Sequence, residues 1–522
     1  MNSRIRARKE STMEQTIYLQ PLEPLEKTEK KPDTEYTKSM KRQFPLFGIG
    51  SLLYSAFYAF CLYKNASGIT YPFFVIGTLC YFFFSMQKLG VPYKKDSIFY
   101  IVSVVLLGIS NCMTTSPQIL FMNKCGIFLL TFTLMLHTVY NDKAWNLPKY
   151  FAAIFQTIGS CLACLFSPFG DMVSYFDAQK QEKTSKKSHF PAILIGIVIA
   201  IPLLVFMTML LASADIVFGK ILLSLTKALN IWTITGILFL MTVVFFSSYG
   251  IFAALCKKTV REEPRERTLF DPIIAVVVTS LLCALYVFFS VIQILYLFIG
   301  NMELPAGYTY AGYAREGFFQ LLAVCIINLF IVLTCLYLFR ESKVLKGILT
   351  VICACTFIMI LSSALRMVMY INSYALTFLR LFVLWSLAVI FFLMAGITVS
   401  IFRKHFPLFF YGMVTVTVCY IALSFSHPDY LIARYDLSHD GSRDYLYQLS
   451  ADATPAILDP SINPDFTDIQ EALVEPENAD YNDTYYDLYW IRRHYYKTED
   501  LTKNMHLRNF NFSLYRAQKY IE

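Results

Sequence analysis

The chain has 522 residues, of which 56% are hydrophobic and 16% charged, whereas ordinary soluble domains carry about 25% charged residues. Its charges bunch in short runs between long apolar stretches, which excludes a water-soluble globular protein and the alternation of a transmembrane β-barrel. That pattern predicts an all-α polytopic transmembrane helix bundle. The net charge of +8 is uneven, because residues 427–522 hold 9 Lys/Arg against 17 Asp/Glu; no nucleic-acid partner is expected, and the positive charge elsewhere reads as an orientation signal.

Residues 1–43 mix Arg, Lys, Glu, Pro and Thr with few apolar residues and no signal-peptide pattern, so a disordered, basic cytoplasmic tail is predicted. Residues 44–426 form the predicted transmembrane bundle. Its apolar segments run over 44–63, 69–87, 119–140, 150–168, 190–212, 231–256, 272–299, 318–339, 347–365, 375–402 and 406–426. A twelfth, 98–111, has an apolar core of about 14 residues, short of the roughly 17–25 needed to cross.

The runs Lys183/Lys186/Lys187, Lys257/Lys258/Arg261/Arg265/Arg267, Arg340/Lys343/Lys346 and Arg403/Lys404 belong in the cytoplasm. Counting from them, a cytoplasmic N-terminus requires one of the first five segments not to span, and 98–111 is the candidate. That gives eleven spans in a protein of the cell membrane. Twelve spans with the N-terminus outside is the competing count. Segment 213–229, with Asp215, Lys220 and Lys227 among Leu, Ile and Phe, reads as an interfacial helix or a solvated connector.

Residues 427–522 contain twelve Tyr and several helical-looking runs, and Asp440-Gly441 marks a turn between them. A small C-terminal α-helical domain outside the cytoplasm is predicted. All 13 cysteines lie between Cys61 and Cys419, so a disulfide framework there is not expected, and the Cys161/Cys164 CxxC reads as two small buried hydrophobes.

No Walker loop, GxGxxG turn, HExxH, EF-hand loop or GxSxG elbow occurs, which disfavours an ATP-driven pump and familiar soluble-type enzymes. No cofactor is expected. His427, Asp429, Asp436, His439, Asp440 and Asp444 crowd the root of the C-terminal region, yet their spacing matches no metal site, and capping or surface roles are the plainer reading.

The charges that stand out are Arg315, Glu316, Arg366 and Arg380, each at or inside the outer end of an apolar segment, where a charge is costly unless paired or snorkelled. Gln320, one helical turn after Glu316, and Asn328 continue a polar stripe, and Asp215 lies in a loop assigned to the same face. These residues form the predicted binding set; catalytic residues cannot be named.

The blocks Leu211-Ala-Ser-Ala-Asp-Ile-Val-Phe218, Tyr313-Ala-Arg-Glu-Gly-Phe-Phe-Gln-Leu321, Ser363-Ala-Leu-Arg-Met-Val-Met-Tyr370, Tyr374-Ala-Leu-Thr-Phe-Leu-Arg380 and Ile432-Ala-Arg-Tyr-Asp436 are distinctive. With Tyr445-Leu-Tyr-Gln-Leu-Ser-Ala-Asp-Ala453 and Phe510-Asn-Phe-Ser-Leu-Tyr-Arg-Ala517, they make the chain resemble the bacterial multi-pass membrane proteins grouped as domain of unknown function 4153/4173. The resemblance covers about residues 190–522 and implies a shared architecture without an established activity or catalytic set.

Three functional readings follow. The first is a protein that binds or moves a solute or lipid at the outer face, in envelope transport or assembly. The second is a membrane-embedded transferase acting on a lipid-linked substrate, for which the early loop Lys64–Gly68 lacks the usual acid. The third is a cell-surface sensor or scaffold. Membrane lipids are the expected partners, with a small solute or lipid-linked ligand.

Overall fold

The computed structural model describes residues 33–143, 145–182, parts of 200–224, 230–262, 269–295, 317–403, 405–439, 443–464 and 484–521. Within these residues the secondary structure is helical apart from one isolated bridge, Phe270 to Phe339. Among the described residues nine helices are long and apolar enough to cross a membrane.

Helix α1 spans Glu35–Arg42, α2 Phe44–Leu62, α3 Thr70–Lys88, α4 Ile98–Met113 and α5 Pro117–Val139. Helices α6 (Leu147–Ala163) and α7 (Ser167–Glu182) follow, then α8 (Ile231–Lys257), α9 (Pro272–Gln293), α10 (Phe318–Leu338), α11 (Lys343–Tyr374), α12 (Phe378–Phe402) and α13 (Leu408–Phe425). Beyond them come α14 (Pro428–Ser438), α15 (Thr484–Lys503) and α16 (Phe512–Gln518). Proline sits at the first turn of α2, α5, α6, α9 and α14, where its missing N–H costs nothing. Asn146 and Asp271 cap α6 and α9 by accepting from Lys149 N and Ile273 N.

The basic loops meet at one end of the bundle. Thr34 Oγ1 donates to Cys256 O at 2.5 Å, Gln43 Nε2 to Lys88 O at 3.4 Å, Lys94 Nζ to Tyr140 O at 2.7 Å and Trp145 Nε1 to Glu262 O at 3.2 Å. Phe270 N donates to Leu338 O at 2.8 Å, bringing the start of α9 to the end of α10. At the opposite end the C-terminal residues cover the α2–α3, α4–α5 and α11–α12 turns. Arg508 Nη2 donates to Tyr63 O at 2.7 Å, Asn511 Nδ2 to Ser67 O and Thr114 O at 3.0 Å each, and Tyr445 Oη accepts from Phe378 N at 3.1 Å.

Among the described residues, the aliphatic side chains of this C-terminal segment join the core of the bundle. Ile432, Ala433, Leu446, Leu449, Ala456, Ile457 and Ile491 belong to the same buried cluster as Cys325, Ile352, Met359 and Leu387 of α10–α12. The seam is continuous because the polar segment buries its aliphatic residues against helix ends.

Several predicted boundaries change. The segment expected to be short, 98–111, is preceded by a 3₁₀ turn at Lys95–Ser97, and Lys95–Met113 makes a 19-residue candidate span. Its polar residues Ser103, Ser110 and Asn111 are buried inside the bundle, so a purely apolar count undersells it.

The segment 150–168 is instead broken: α6 and α7 meet at 61°. Both limbs touch the basic end, since Tyr249 Oη of α8 donates to Asp171 of α7 at 2.9 Å while Ser160 of α6 shares a 3.1 Å hydrogen bond with Thr259.

The segment 347–365 lengthens to α11, 32 residues, so that 366–374 is helix and not loop. Most of the N-terminal tail lies outside the described residues, as does most of 183–229, yet Glu35–Arg42 is helical, capped by Thr34. All 13 cysteines are free thiols, and Cys161 and Cys164 are buried.

Candidate functional site

Arg366 is the 24th residue of α11, about 35 Å along the helix at 1.5 Å per residue, which exceeds the roughly 30 Å hydrocarbon core. It therefore lies toward the end of the bundle covered by the C-terminal residues, and it is buried between helices. Its Nη2 donates to Gln293 Oε1 of α9 at 3.4 Å, and Ser362, one turn earlier on the same face, donates to the same oxygen at 2.6 Å. Ser290 of α9 and Ser363 of α11 are buried as well. Gly317, at φ +91°, opens α10 against this side chain. A Cβ at that position would meet Arg366 Nη1 at 2.9 Å, so glycine serves both the left-handed backbone and the close approach.

The other members of the predicted set are dispersed. Arg380 Nη1 donates to Tyr374 O at 2.6 Å and also to Ala375 O, and its guanidinium lies 4.4 Å from the centre of the Tyr370 ring. It closes the C-terminal turn of α11, where the helix dipole favours a cation. Gln320 is exposed, because the buried face of α10 carries Phe318, Leu321, Cys325 and Asn328; Asn328 Nδ2 instead donates to Thr356 of α11 at 3.0 Å. Asp215 is exposed and accepts from Val217 N at 2.7 Å as a local cap. Arg315 and Glu316 lie outside the described residues.

Two carboxylates at this end stand outside the predicted binding set: Asp452, not singled out individually in the sequence, and Asp436, expected in a capping or surface role and found buried. Asp452 is buried and accepts from Thr114 Oγ1, Thr115 N, Thr115 Oγ1 and Ser513 Oγ, with His427 Nδ1 3.7 Å away. Burial pushes its carboxyl pKa up, but the hydrogen bonds from His427, Ser513, Thr114 and Thr115 outweigh it and hold the group below the usual carboxylate range.

Asp436 accepts from Leu376 N at 2.7 Å, beside Ala375 at φ +68°. Its Oδ2 is buried with no hydrogen bond among the described residues. Burial raises its pKa to about 6 against the opposing pull of the Leu376 N–H and the charges of Arg380 and His439. Asp452 stood in a block already singled out, and an aspartate inside Leu-Ser-Ala-Asp-Ala was the available signal.

No group of three His, Cys, Asp or Glu side chains that could hold a metal occurs among the described residues. His439 stacks on Tyr435 with ring centres 4.3 Å apart, while Asp440 and the side chain of Asp444 lie outside the described set.

No curated protein and no solved structure matches the chain. A family model described as Domain of unknown function (DUF4153) matches residues 101–459, starting earlier than the resemblance at 190–522 and stopping short of α15 and α16. Because that match covers well over half of this multi-pass helical chain, the protein belongs to the DUF4153 family.

Proposed function

We propose that the protein binds an anionic solute or lipid headgroup at the end of its bundle covered by the C-terminal residues, as a component of envelope transport or assembly. The observation that carries this reading is Arg366, a guanidinium buried near the far end of α11 that shares Gln293 Oε1 with the Ser362 hydroxyl. An ionisable group within a membrane helix is costly to keep there and commonly marks a substrate or ion pathway.

In the same reading the basic end faces the cytoplasm and the C-terminal residues face outward. The transferase alternative gains no support from the early loop. Asn65 Nδ2 donates to Arg508 O at 3.0 Å and Asn111 Nδ2 to Ala66 O at 3.0 Å, so that loop is a docking point for the C-terminal residues.

The test is to purify the full chain in mild detergent and identify the lipids and anions it retains, for wild type, Arg366→Lys and Arg366→Gln, with protein level measured alongside. Retention of one anionic species by wild type and its loss in both variants at normal protein level is the expected result, since an ammonium cannot reproduce the guanidinium fork. Equal retention in all three would sink the reading.

A further inference from the structure

At the basic end a cavity of about 840 Å³ opens among the start of α4, the α5–α6 connection, the end of α10 and the α12–α13 turn. That volume suits a small molecule or a lipid headgroup with the first part of its chains. One wall is aromatic: Tyr150 stacks on Phe409 with ring centres 4.5 Å apart and interplanar angle 12°, and Trp145 meets Tyr150 edge-on at 5.2 Å. Aromatic side chains of this kind favour the membrane interface, where one edge is apolar and the other wet.

The charges lining the cavity do not balance internally. Glu341 is taken by Lys346 at 3.0 Å. Asp142 is bonded to His137 Nδ1 at 2.6 Å and to the Tyr150 hydroxyl. Burial works against its charge, and the bonds from His137 and Tyr150 more than compensate, holding its pKa below the usual value.

Lys94 is occupied with Tyr140 O and His137 O at the end of α5. That leaves the exposed side chains of Lys95, Lys143 and Arg403, which make no hydrogen bond or ion pair among the described residues, against the carboxylates of Asp96 and Asp142. Cations are expected at a cytoplasmic membrane edge whatever the function. What the positive-inside tendency does not require is that three cations from three separate connections line one cavity, backed by an aromatic wall.

We propose that this cavity binds a phosphate-bearing ligand, its anionic group held by Lys95, Lys143 and Arg403 and its apolar part laid against Trp145 and Phe409. The site is at the opposite end of the bundle from Arg366 and stands independently of the reading given above. Phosphate here has two sources, an anionic phospholipid headgroup or a soluble phosphate ester.

The full chain in detergent is titrated by native mass spectrometry with phosphatidylglycerol, with phosphatidylcholine, and with phosphatidylglycerol in the presence of inorganic phosphate. Three variants accompany wild type. The first replaces Lys95, Lys143 and Arg403 with Gln. The second makes the charge-keeping changes Lys95→Arg, Lys143→Arg and Arg403→Lys. The third neutralises Lys88, Lys257 and Arg261, which belong to the same end but do not line the cavity.

Wild type is expected to prefer phosphatidylglycerol by at least about tenfold, the scale of a few cations acting at close range. The cavity Gln variant loses that preference, and the charge-keeping and remote variants retain it. Competition by inorganic phosphate assigns the recognised group to phosphate itself and admits soluble esters; its failure to compete assigns the lipid. The proposal is overturned if wild type binds both lipids equally. Equal loss in the cavity Gln and remote variants also overturns it, because the effect is then diffuse surface charge. Retention of the charge-keeping variant's binding rules out misfolding as the cause of the Gln variant's loss.

Discussion

Asp452 accepts the Thr115 N–H at 2.7 Å and the Thr115 hydroxyl at 2.6 Å, joining residues 337 positions apart. Ser513 and Thr114 complete the shell, so one carboxylate ties the α4–α5 turn and the start of α16 to the stretch between α14 and α15. A charge removed from water this thoroughly survives only through such bonds.

Truncating that hub leaves buried donors without an acceptor, each costing about 1–3 kcal/mol. We expect Asp452→Ala to destabilise by about 3–5 kcal/mol. Asp452→Asn should cost less, since hydroxyls can turn to accept from its amide while the Thr115 N–H cannot. Thermal unfolding of the purified protein measures both. If Ala proved no worse than Asn, the hub would not be stabilising the junction.

Asp436 gives a pH dependence of known sign. Its folded pKa, about 6, lies above the ordinary 3.8, so the folded state holds the proton more tightly and stability is lost as pH rises between about 4 and 6. His494 acts the other way, because burial lowers its pKa to about 3 and its contribution is lost as pH falls below 6.5. The groups around Asp436 are Arg380, His439 and, more distantly, Tyr445.

The informative quantity is therefore the difference between wild type and Asp436→Asn, which should fall across pH 4–6 and level off above. Asn keeps the bond from Leu376 N and removes the titration. A difference that stayed constant from pH 4 to pH 7 would show that Asp436 does not titrate there.

The long range of these contacts explains what the sequence could and could not reveal. Helix ends with Lys and Arg runs were legible because charge at a membrane edge is a local signal. The status of 98–111 was not, because Ser103, Ser110 and Asn111 count against an apolar window although they are buried. The break between α6 and α7 was signalled by Ser167-Pro168 with Gly170 nearby, since proline opens a new helix more readily than it continues one. Arg366 stood out as a charge in apolar surroundings. That Gln320 faces away from the buried side of α10 was not legible, because spacing alone does not say which face of a helix is buried. The partners of Asp452 lie in parts of the chain that no periodicity connects.

Arg380 separates a structural cation from a binding one. As the cap on Tyr374 O and Ala375 O and the partner of the Tyr370 face, it is expected to contribute about 1–2 kcal/mol, reduced by its partial exposure. Arg380→Gln should lower the unfolding temperature, and Arg380→Lys should recover part of the loss through its remaining charge at the helix end. Lost ligand retention with unchanged unfolding temperature in either variant would reassign Arg380 to a binding role.

The last expectation concerns the path of the chain through the membrane. α4 leaves the basic end at Lys94, which bonds Tyr140 O, and reaches the opposite end at Asn111 and Thr114, which meet Ala66 and Asp452. α6 and α7, by contrast, begin beside Glu262 and return beside Tyr249, and Asp171 feels the charges of Lys41 and Lys257. The segment expected not to cross is then 147–182 in place of 98–111, an omission that would equally give a cytoplasmic N-terminus. Short epitope tags inserted into the full chain after Thr115, after Lys143 and after Glu182 test this without truncation. The tag after Thr115 should be accessible from outside, and those after Lys143 and Glu182 only after permeabilisation. Opposite sides for the last two would make α6 and α7 one bent span. Identical sides for the first two would return α5, or the turn before it, to the surface it starts from, contradicting the bonds that place its two ends apart.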